Sequence, residues 1–181
     1  MSAPETLAPV GALSGGYQRG AHPADGRIGV TLKLREGLRL TNLRGTPDAQ
    51  LPTTPNTTMD VPGGVILWLG PDEWLHVAEA ALPEARVGWR QAATDVSHGR
   101  VAIRIAGPAA RDLLATGISV DLRTQVFAAG ACLQTSFHRV GVLVHHNRDG
   151  AGFDLYFARS YARFAWELLL EAAREFGYEV R

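Results

Sequence analysis

The amino-acid sequence predicts an α+β fold built on antiparallel sheet. Three segments each begin with an apolar strand pattern and continue, through Gly-Pro or Arg-Ser, as a helix pattern. Further strand patterns with a turn between them lie between the second and third segments. Strand–helix units mixed with hairpins in a chain of 181 residues favour α+β architecture over a doubly wound parallel sheet. The three segments are residues 65–82, 101–117 and 153–177.

Composition and charge limit the class of protein. Apolar residues make up 46% of the chain and charged residues 20%, which is typical of one globular domain or two small subdomains. The formal net charge is zero. No long-range field therefore attracts nucleic acid or an anionic membrane, and neither is expected as a partner. The single cysteine, Cys132, excludes an intrachain disulfide and a multi-thiolate metal site.

The N-terminal region differs from the rest of the chain. Residues 1–24 are rich in Ala, Gly, Pro and Ser without periodicity, which predicts a flexible arm ahead of one domain over residues 25–181. The arm lacks the basic start and long apolar core of a secretory signal. No apolar run reaches the roughly 20 residues that a membrane-spanning helix needs. A cytoplasmic location is therefore expected.

Two strands and a long loop open the domain. Alternating apolar and polar residues predict strands over residues 28–34 and 38–43, with Glu36-Gly37 as the turn between them. Residues 46–64 contain four prolines and a cluster of threonines, which favours a loop without regular structure. Long loops in compact domains are usually functional. This loop and the N-terminal arm are therefore the expected contact surfaces.

The first strand–helix unit contains the sequence LGPDEWL. Gly70 is expected to cap a helix and Pro71 to take its first position, where no backbone donor is required. Asp72 and Glu73 then fall in the first turn, where carboxylates interact favourably with the helix dipole. Because a catalytic carboxylate pair needs a cleft and separate environments, a helix start is favoured over catalytic acids. Trp68 and Trp74 are expected in the core.

The second and third strand–helix segments are also expected to start and end their helices at specific residues. Gly107-Pro108 is expected to start the second helix and Gly117 to end it. In the third, Ser160 is expected to cap the helix and Gly177 to end it. Strands are expected within residues 131–138, 140–146 and 153–158, with a hairpin turn over residues 147–150. The predicted apolar stripe of the last helix is Tyr161, Phe164, Ala165, Leu168, Leu169, Ala172 and Phe176.

No residue of this chain is assigned to catalysis, to cofactor binding or to metal binding. No two of its six histidines have the i, i+4 spacing of a helical metal site. His145 and His146 are strand neighbours whose side chains point to opposite faces, so surface or partly buried imidazoles are expected. The six are His22, His76, His98, His138, His145 and His146.

Three further patterns are also given structural interpretations. Residues 95–100 read DVSHGR, but a hydrolase triad needs side chains from distant positions, so a turn between strands is expected. Cys132 lies in an apolar context and is interpreted as a small core residue. The arginines of the second half of the chain are expected on the surface, namely Arg104, Arg111, Arg123, Arg139, Arg148, Arg159 and Arg163.

Several motifs, taken in order, resemble the gamma subunit of heterotetrameric sarcosine oxidase. The series begins with LRLTNLRG and LPTTPN, and continues with WLGPDEWL, TDVS and GPAAR. It ends with FDL, RSYA and WELL within residues 153–169. The resemblance extends from about Arg27 to the C-terminus. WLGPDEW and FDL-x₃-RS-x-A-x₃-WELL occurring together make it fairly specific.

The resemblance implies a non-catalytic subunit of an enzyme that oxidatively demethylates sarcosine. The products are glycine, hydrogen peroxide and, with tetrahydrofolate, 5,10-methylenetetrahydrofolate. It implies a fold like part of the aminomethyltransferase (glycine cleavage T protein) family. The implied main partner is the alpha subunit, with beta and delta subunits in the same complex.

The same resemblance bears on cofactors and leaves two alternatives open. It implies FAD, FMN, NAD and tetrahydrofolate in the other subunits and no cofactor bound by this chain. One alternative is a gamma subunit of a related complex that acts on another N-methyl amino acid. The other is a stand-alone folate-binding protein of the aminomethyltransferase type.

Overall fold

Two antiparallel-rich sheets packed face to face organise the protein. The computed structural model describes residues 13, 19–47, 51–79 and 92–181. Within them, twelve strands form a seven-stranded and a five-stranded sheet, and two helices lie beside the larger one. The predicted α+β architecture is therefore present. Neither helix in these ranges is long and apolar enough to span a membrane.

The larger sheet has the strand order β1-β12-β2-β8-β11-β10-β9. All its neighbours pair antiparallel except β12 and β2, which are parallel. β10 and β11 are buried along almost their whole length, because helices cover one face and the smaller sheet covers the other. Its strands are β1 (Gly20–His22), β2 (Val30–Leu34), β8 (Arg100–Ala106), β9 (Cys132–Phe137), β10 (Val140–His146), β11 (Gly152–Ala158) and β12 (Tyr178–Val180).

The second and third predicted strand–helix units are confirmed. β8 leads into α1 (Ala110–Ala115), and β11 leads through a 3₁₀ turn into α2 (Ala162–Ala173). Both helices begin slightly later than predicted, α1 after Ala109 and α2 after Tyr161, and neither N-terminus has a side-chain cap. Ser160 is therefore not the predicted cap, because it lies inside the 3₁₀ turn. Gly177, with φ of 67°, follows the last helical turn as expected.

The buried face of α2 differs from the predicted stripe. Tyr161 and Phe164 are 52% and 53% exposed. The helix carries two overlapping apolar faces, and the face that contains Trp166 is the one that packs on the sheet. On this face the small alanines allow a close approach to the sheet, while Trp166 fills the core. The residues buried on this face are Ala162, Ala165, Trp166, Leu169 and Ala173.

The smaller sheet has the order β4-β5-β6-β3-β7, and every pair in it is antiparallel. The turn Glu36-Gly37 is confirmed, with Gly37 at φ of 74°, and it carries the chain from the larger sheet to this one. The predicted turn at residues 147–150 likewise connects β10 and β11. The strands are β3 (Arg39–Arg44), β4 (Thr58–Val61), β5 (Gly64–Gly70), β6 (Glu73–Ala78) and β7 (Ala92–Asp95).

The helix predicted after Gly70-Pro71 is wrong, because the chain turns there and returns as β6 against β5. Asp72 lies in the turn, and Glu73 begins β6 and bonds to Arg44 of β3 at 2.8 Å. β6 is buried on both faces. Trp74 packs under the loop that contains Leu51 and Pro52, while Leu75 faces the larger sheet. β6 also pairs with β5 along one edge and with β3 along the other. This burial and pairing override the local sequence pattern that favours a helix start.

Two regions predicted to be irregular contribute strands. In the 46–64 segment, Thr58–Val61 form β4, and Trp74 Nε1 donates a hydrogen bond to the Pro52 carbonyl at 2.8 Å. Residues 48–50 lie outside the described residues. The arm predicted for residues 1–24 enters the larger sheet at Gly20 as β1, and Leu13 is buried in the core at 5% exposure. Residues 1–12 and 14–18 also lie outside the described residues.

A polar cleft between the sheets as candidate functional site

Three polar side chains lie side by side on the face of the larger sheet that meets the smaller sheet. Arg104 of β8 pairs in register with Asp154 of β11, and Asp154 pairs with His145 of β10. Residues directly opposite in neighbouring antiparallel strands project to the same face, so the three form one row. They line a cleft of about 400 Å³ whose opposite wall includes Val65 and Val77 of the smaller sheet.

Asp154 is the centre of the ionic network in this cleft. Its carboxylate accepts hydrogen bonds from Arg104 Nε at 2.9 Å, Arg104 Nη2 at 2.8 Å and Arg35 Nη1 at 3.0 Å. In the amide orientation that satisfies both neighbours, Asn147 donates to Asp154 at 3.1 Å and accepts from Arg104 Nη2 at 2.9 Å. The bonds to Asp154 raise the pKa of Arg104. The carboxylate is therefore neutralised within the protein and is not free to act as a base.

His145 and Tyr156 are two further buried residues of the cleft lining. They are 6% and 1% exposed. Burial lowers the pKa of His145 to about 4, so the imidazole is neutral at pH 7, and burial raises the pKa of Tyr156. Among the described residues, neither the two ring nitrogens of His145 nor the Tyr156 hydroxyl finds a hydrogen-bond partner. With its lowered pKa, His145 is a weak base.

Cys132 lies next to this row on β9, opposite His145. The prediction that it is a core residue is confirmed, because it is 0% exposed. Its Sγ is 3.4 Å from the carbonyl oxygens of Thr57 and Trp68. Burial raises the pKa of the thiol to about 12, so the thiolate needed for nucleophilic chemistry is scarce at neutral pH.

The histidine prediction is correct in geometry, and in exposure it holds for His22, His98 and His138 but not for the other three. His145 and His146 do project to opposite faces: His146 stacks on Phe153 on the helix side at 4.6 Å. Both are buried rather than near the surface, at 6% and 3% exposure, and His76 is buried too, at 2%. Strands buried on both faces leave no solvent-facing position for these side chains. The described part of the chain contains no group of three or more His, Cys, Asp or Glu that could hold a metal ion.

The segment around residues 95–100 forms the predicted turn. Ser97–Gly99 make a 3₁₀ turn between β7 and β8. Ser97 Oγ accepts from the Leu40 amide at 2.9 Å, and the Ser97 amide donates to Asp95 at 2.8 Å. The hydrogen bonds from Ser97 lower the pKa of Asp95. His98 is exposed and outside this set of bonds, so the three side chains do not form a triad.

Arg104 and Arg111, predicted to lie scattered on the surface, are partly buried instead. Arg104 belongs to the cleft, and Arg111 donates to the Leu122 carbonyl and lies 5.1 Å above the Phe153 ring. Sequence reasoning missed the cleft because Arg104 and Asp154 are 50 residues apart. The available signal was a charged residue in an inward position of each of two otherwise apolar strands, IRI and FDL.

Comparisons with known proteins identify similar sequences. A family model described as "Sarcosine oxidase, gamma subunit family" matches residues 50–175. Sarcosine oxidase subunit gamma from Corynebacterium sp. (strain P-1) is 30% identical over 125 residues, which cover 66% of this chain and 61% of that protein. Its counterpart from strain U-96 is 34% identical over 91 residues, or 47% and 44% of the two chains. The chain thus matches about three fifths or less of the length of these curated relatives.

Solved structures agree with these matches. A chain of heterotetrameric sarcosine oxidase from Corynebacterium sp. U-96, solved in complex with pyrrole 2-carboxylate, has a TM-score of 0.73 at 26% identity, covering 81% of this chain and 85% of that one. Glycine cleavage system aminomethyltransferase T from Bartonella henselae has a TM-score of 0.62 at 16% identity, covering 85% and 48%. The second likeness is one of fold alone, and it confirms the expected aminomethyltransferase-like architecture.

Proposed function

Because the chain belongs to the sarcosine oxidase gamma subunit family, we propose that it is a non-catalytic subunit of a heterotetrameric sarcosine oxidase. The observation that carries the proposal is the family match across residues 50–175, together with the 0.73 TM-score to a chain of such an enzyme. The complex would convert sarcosine to glycine and hydrogen peroxide, with 5,10-methylenetetrahydrofolate formed when tetrahydrofolate is present.

The chemistry of the buried groups supports a non-catalytic role. Asp154 is neutralised by two arginines, the Cys132 thiol has a pKa of about 12, and His145 has a pKa of about 4. The pKa values of Cys132 and His145 both lie far from neutral, whereas an acid, base or nucleophile is favoured by a pKa near the working pH. Under the same proposal, FAD, FMN, NAD and tetrahydrofolate belong to companion subunits, since cofactors carry this oxidation.

The alpha subunit is proposed as the main partner, with beta and delta subunits completing the complex. One surface suited to such contact lies at the start of α2, where Tyr161 of the preceding 3₁₀ turn and Phe164 of the helix are each about half exposed. Exposed aromatic side chains are enriched where proteins associate. The β1 strand, at the edge of the larger sheet, and the 46–64 segment are the other expected contact regions.

Co-expression with the three companion chains tests the proposal. We expect the chain to co-elute with a flavin-containing complex in size-exclusion chromatography. Replacing both Tyr161 and Phe164 by serine should reduce co-elution, because it removes apolar surface from the interface, while the isolated variant unfolds at an unchanged or higher temperature. Arg174→Ala, in an exposed pair with Glu171, is the matched helix control. Separate elution of the unmodified chain would contradict the proposed function.

The choice of N-methyl amino acid is proposed to belong to another subunit. The buried carboxylate of the inter-sheet cleft, Asp154, is already engaged by Arg35 and Arg104, and Arg148 pairs with Asp60, so these groups are not available to select a zwitterionic amino acid. Exchanging this chain between two such complexes should therefore leave the preferred substrate unchanged. Steady-state rates with sarcosine and with a second N-methyl amino acid measure this.

A further inference from the structure

We propose that a groove beside the Glu36-Gly37 turn binds the carboxylate of a small organic acid, and that Arg100 is the residue that holds it. The groove has a volume of about 560 Å³ and is formed by the turn between β2 and β3, the 3₁₀ turn before β8 and the first residues of β8. The proposal goes beyond the subunit role and does not depend on it. The described residues of this arginine groove include four arginines and one carboxylate, namely Arg35, Arg39, Arg100, Arg159 and Glu36.

The strand register gives Arg100 no carboxylate partner. Arg100 and Arg104 project to the same face of β8, because they are four residues apart on one strand. Arg104 lies opposite Asp154 of β11 and bonds to it, whereas the residue opposite Arg100 is Ala158. The half-buried Arg100 side chain has neither a hydrogen bond nor an ion pair with any described residue. A charge that is partly removed from water without a counter-ion is unfavourable, and a bound anion would stabilise it.

The nearby carboxylates are engaged with other groups. Glu73, whose charge acts on Arg100, bonds to Arg44 at 2.8 Å. Asp95, just before the 3₁₀ turn, pairs with Arg39 at 3.5 Å. Burial lowers the pKa of Arg100, as expected for a guanidinium whose charge is poorly solvated. A carboxylate brought by a ligand would therefore be the first to contact this side chain directly.

The Arg100 side chain can be reached from the groove. Its nitrogen atoms retain accessible surface, since they are not among the fully buried polar atoms that lack a partner in the described structure. The neighbouring Arg39 side chain is 55% exposed, so the groove opens to solvent on that side. Leu38 is half-buried in the same lining and provides apolar surface for the body of a ligand. Small-molecule sites commonly combine such apolar surface with a few polar groups.

The charge balance of the groove favours a monocarboxylate. Arg100 supplies one uncompensated charge, because Arg35 and Arg39 have carboxylate partners of their own. A carboxylate matches this single charge and can accept two parallel hydrogen bonds from one guanidinium. A phosphate group carries about −1.5 to −2 charges at pH 7 and would be only partly neutralised. An amino acid would place its ammonium group among the arginines, where like charges repel.

Three probes of similar shape and different charge test the proposal. Phenylacetate is an anion, phenylacetamide is its neutral counterpart, and phenylglycine adds an ammonium group to the same carboxylate. Each is titrated into the full chain at pH 6.5 and constant ionic strength, while the Nε–H resonances of the arginines are followed by NMR. We expect saturable binding of phenylacetate with a shift of the Arg100 signal. Phenylacetamide and phenylglycine are expected to bind at least about tenfold more weakly.

Two variants connect binding to Arg100. Arg100→Gln should bind phenylacetate about tenfold more weakly. It should also unfold at an unchanged or higher temperature, because it removes a half-buried charge without a partner. Arg163→Gln makes the same change in an exposed pair with Glu167 on α2, outside the groove, and should bind phenylacetate as the unmodified chain does.

Four results would each overturn the proposal. They are the absence of saturable phenylacetate binding, equal binding of phenylacetate and phenylacetamide, equal affinity of the unmodified chain and Arg100→Gln, and a marked loss of thermal stability in Arg100→Gln. The last result would mean that Arg100 already has a stabilising partner within the protein, so that no ligand is needed to neutralise it.

Discussion

Replacing Asp154 by asparagine should destabilise the fold through the buried ionic network. The Asp154 side chain is 5% exposed and accepts three hydrogen bonds from Arg35 and Arg104. Removing one partner of a buried ion pair typically costs about 3–5 kcal/mol. Here the arginine side chains retain 20% and 36% exposure, so water compensates part of the loss. We therefore expect a decrease of about 2–3 kcal/mol in the free energy of unfolding.

Urea denaturation, followed by tryptophan fluorescence and far-UV circular dichroism, measures this change. In a chain of this size the expected loss corresponds to a melting temperature lower by roughly 4–12 °C. Asp60→Asn is the matched control, because Asp60 and Arg148 form an exposed pair at 2.6 Å with both side chains more than half exposed. Such a pair contributes less than about 1 kcal/mol. Equal effects of the two variants, or no effect of Asp154→Asn, would refute the reasoning.

Three further predictions concern single residues. Gly64→Ala should lower the free energy of unfolding by about 1–3 kcal/mol, because the added Cβ would lie 2.3 Å from the Val77 carbonyl oxygen. Gly141→Ala, with open space around the added Cβ, should leave the free energy of unfolding nearly unchanged. Cys132 should resist thiol reagents at pH 8 until denaturant unfolds the chain, because it is fully buried with a pKa of about 12; rapid labelling of the native protein would contradict this. His145, whose pKa falls from 6.5 to about 4 on folding, contributes stability that is complete above pH 6.5 and is lost as the pH falls toward 4. That contribution is at most about 3 kcal/mol. Urea denaturation across this pH range should therefore show a free energy of unfolding that depends less on pH in His145→Phe than in the unmodified chain. An unchanged pH dependence would argue against the lowered pKa of His145.

The strands of the larger sheet could be predicted because their signals are local. Apolar runs bounded by glycine and turn residues marked β8 and β11, and each was followed by a helix as expected. The segment after Gly70 misled the same reasoning, since Gly-Pro followed by two acids is typical of a helix start. Its actual structure depends on Glu73 meeting Arg44 and on Trp74 packing under the loop that ends at Pro52, contacts that no local pattern contains.

The cleft could not be assembled from the sequence for a related reason. Its row depends on the register that places Arg104 opposite Asp154 and Asp154 opposite His145. A shift of one residue in either pairing would turn these side chains to the helix face. The sequence could still predict that a polar residue inside an apolar strand needs a buried partner, but not which residue provides it.

Purification of the chain alone and with its companion subunits is the most direct test of the non-catalytic role. The account predicts a colourless isolated protein without flavin absorbance that releases no hydrogen peroxide from sarcosine. It also predicts that the same chain, co-expressed with the other subunits, is recovered in a yellow complex that turns over sarcosine. Flavin absorbance and peroxide formation by the isolated chain would contradict it.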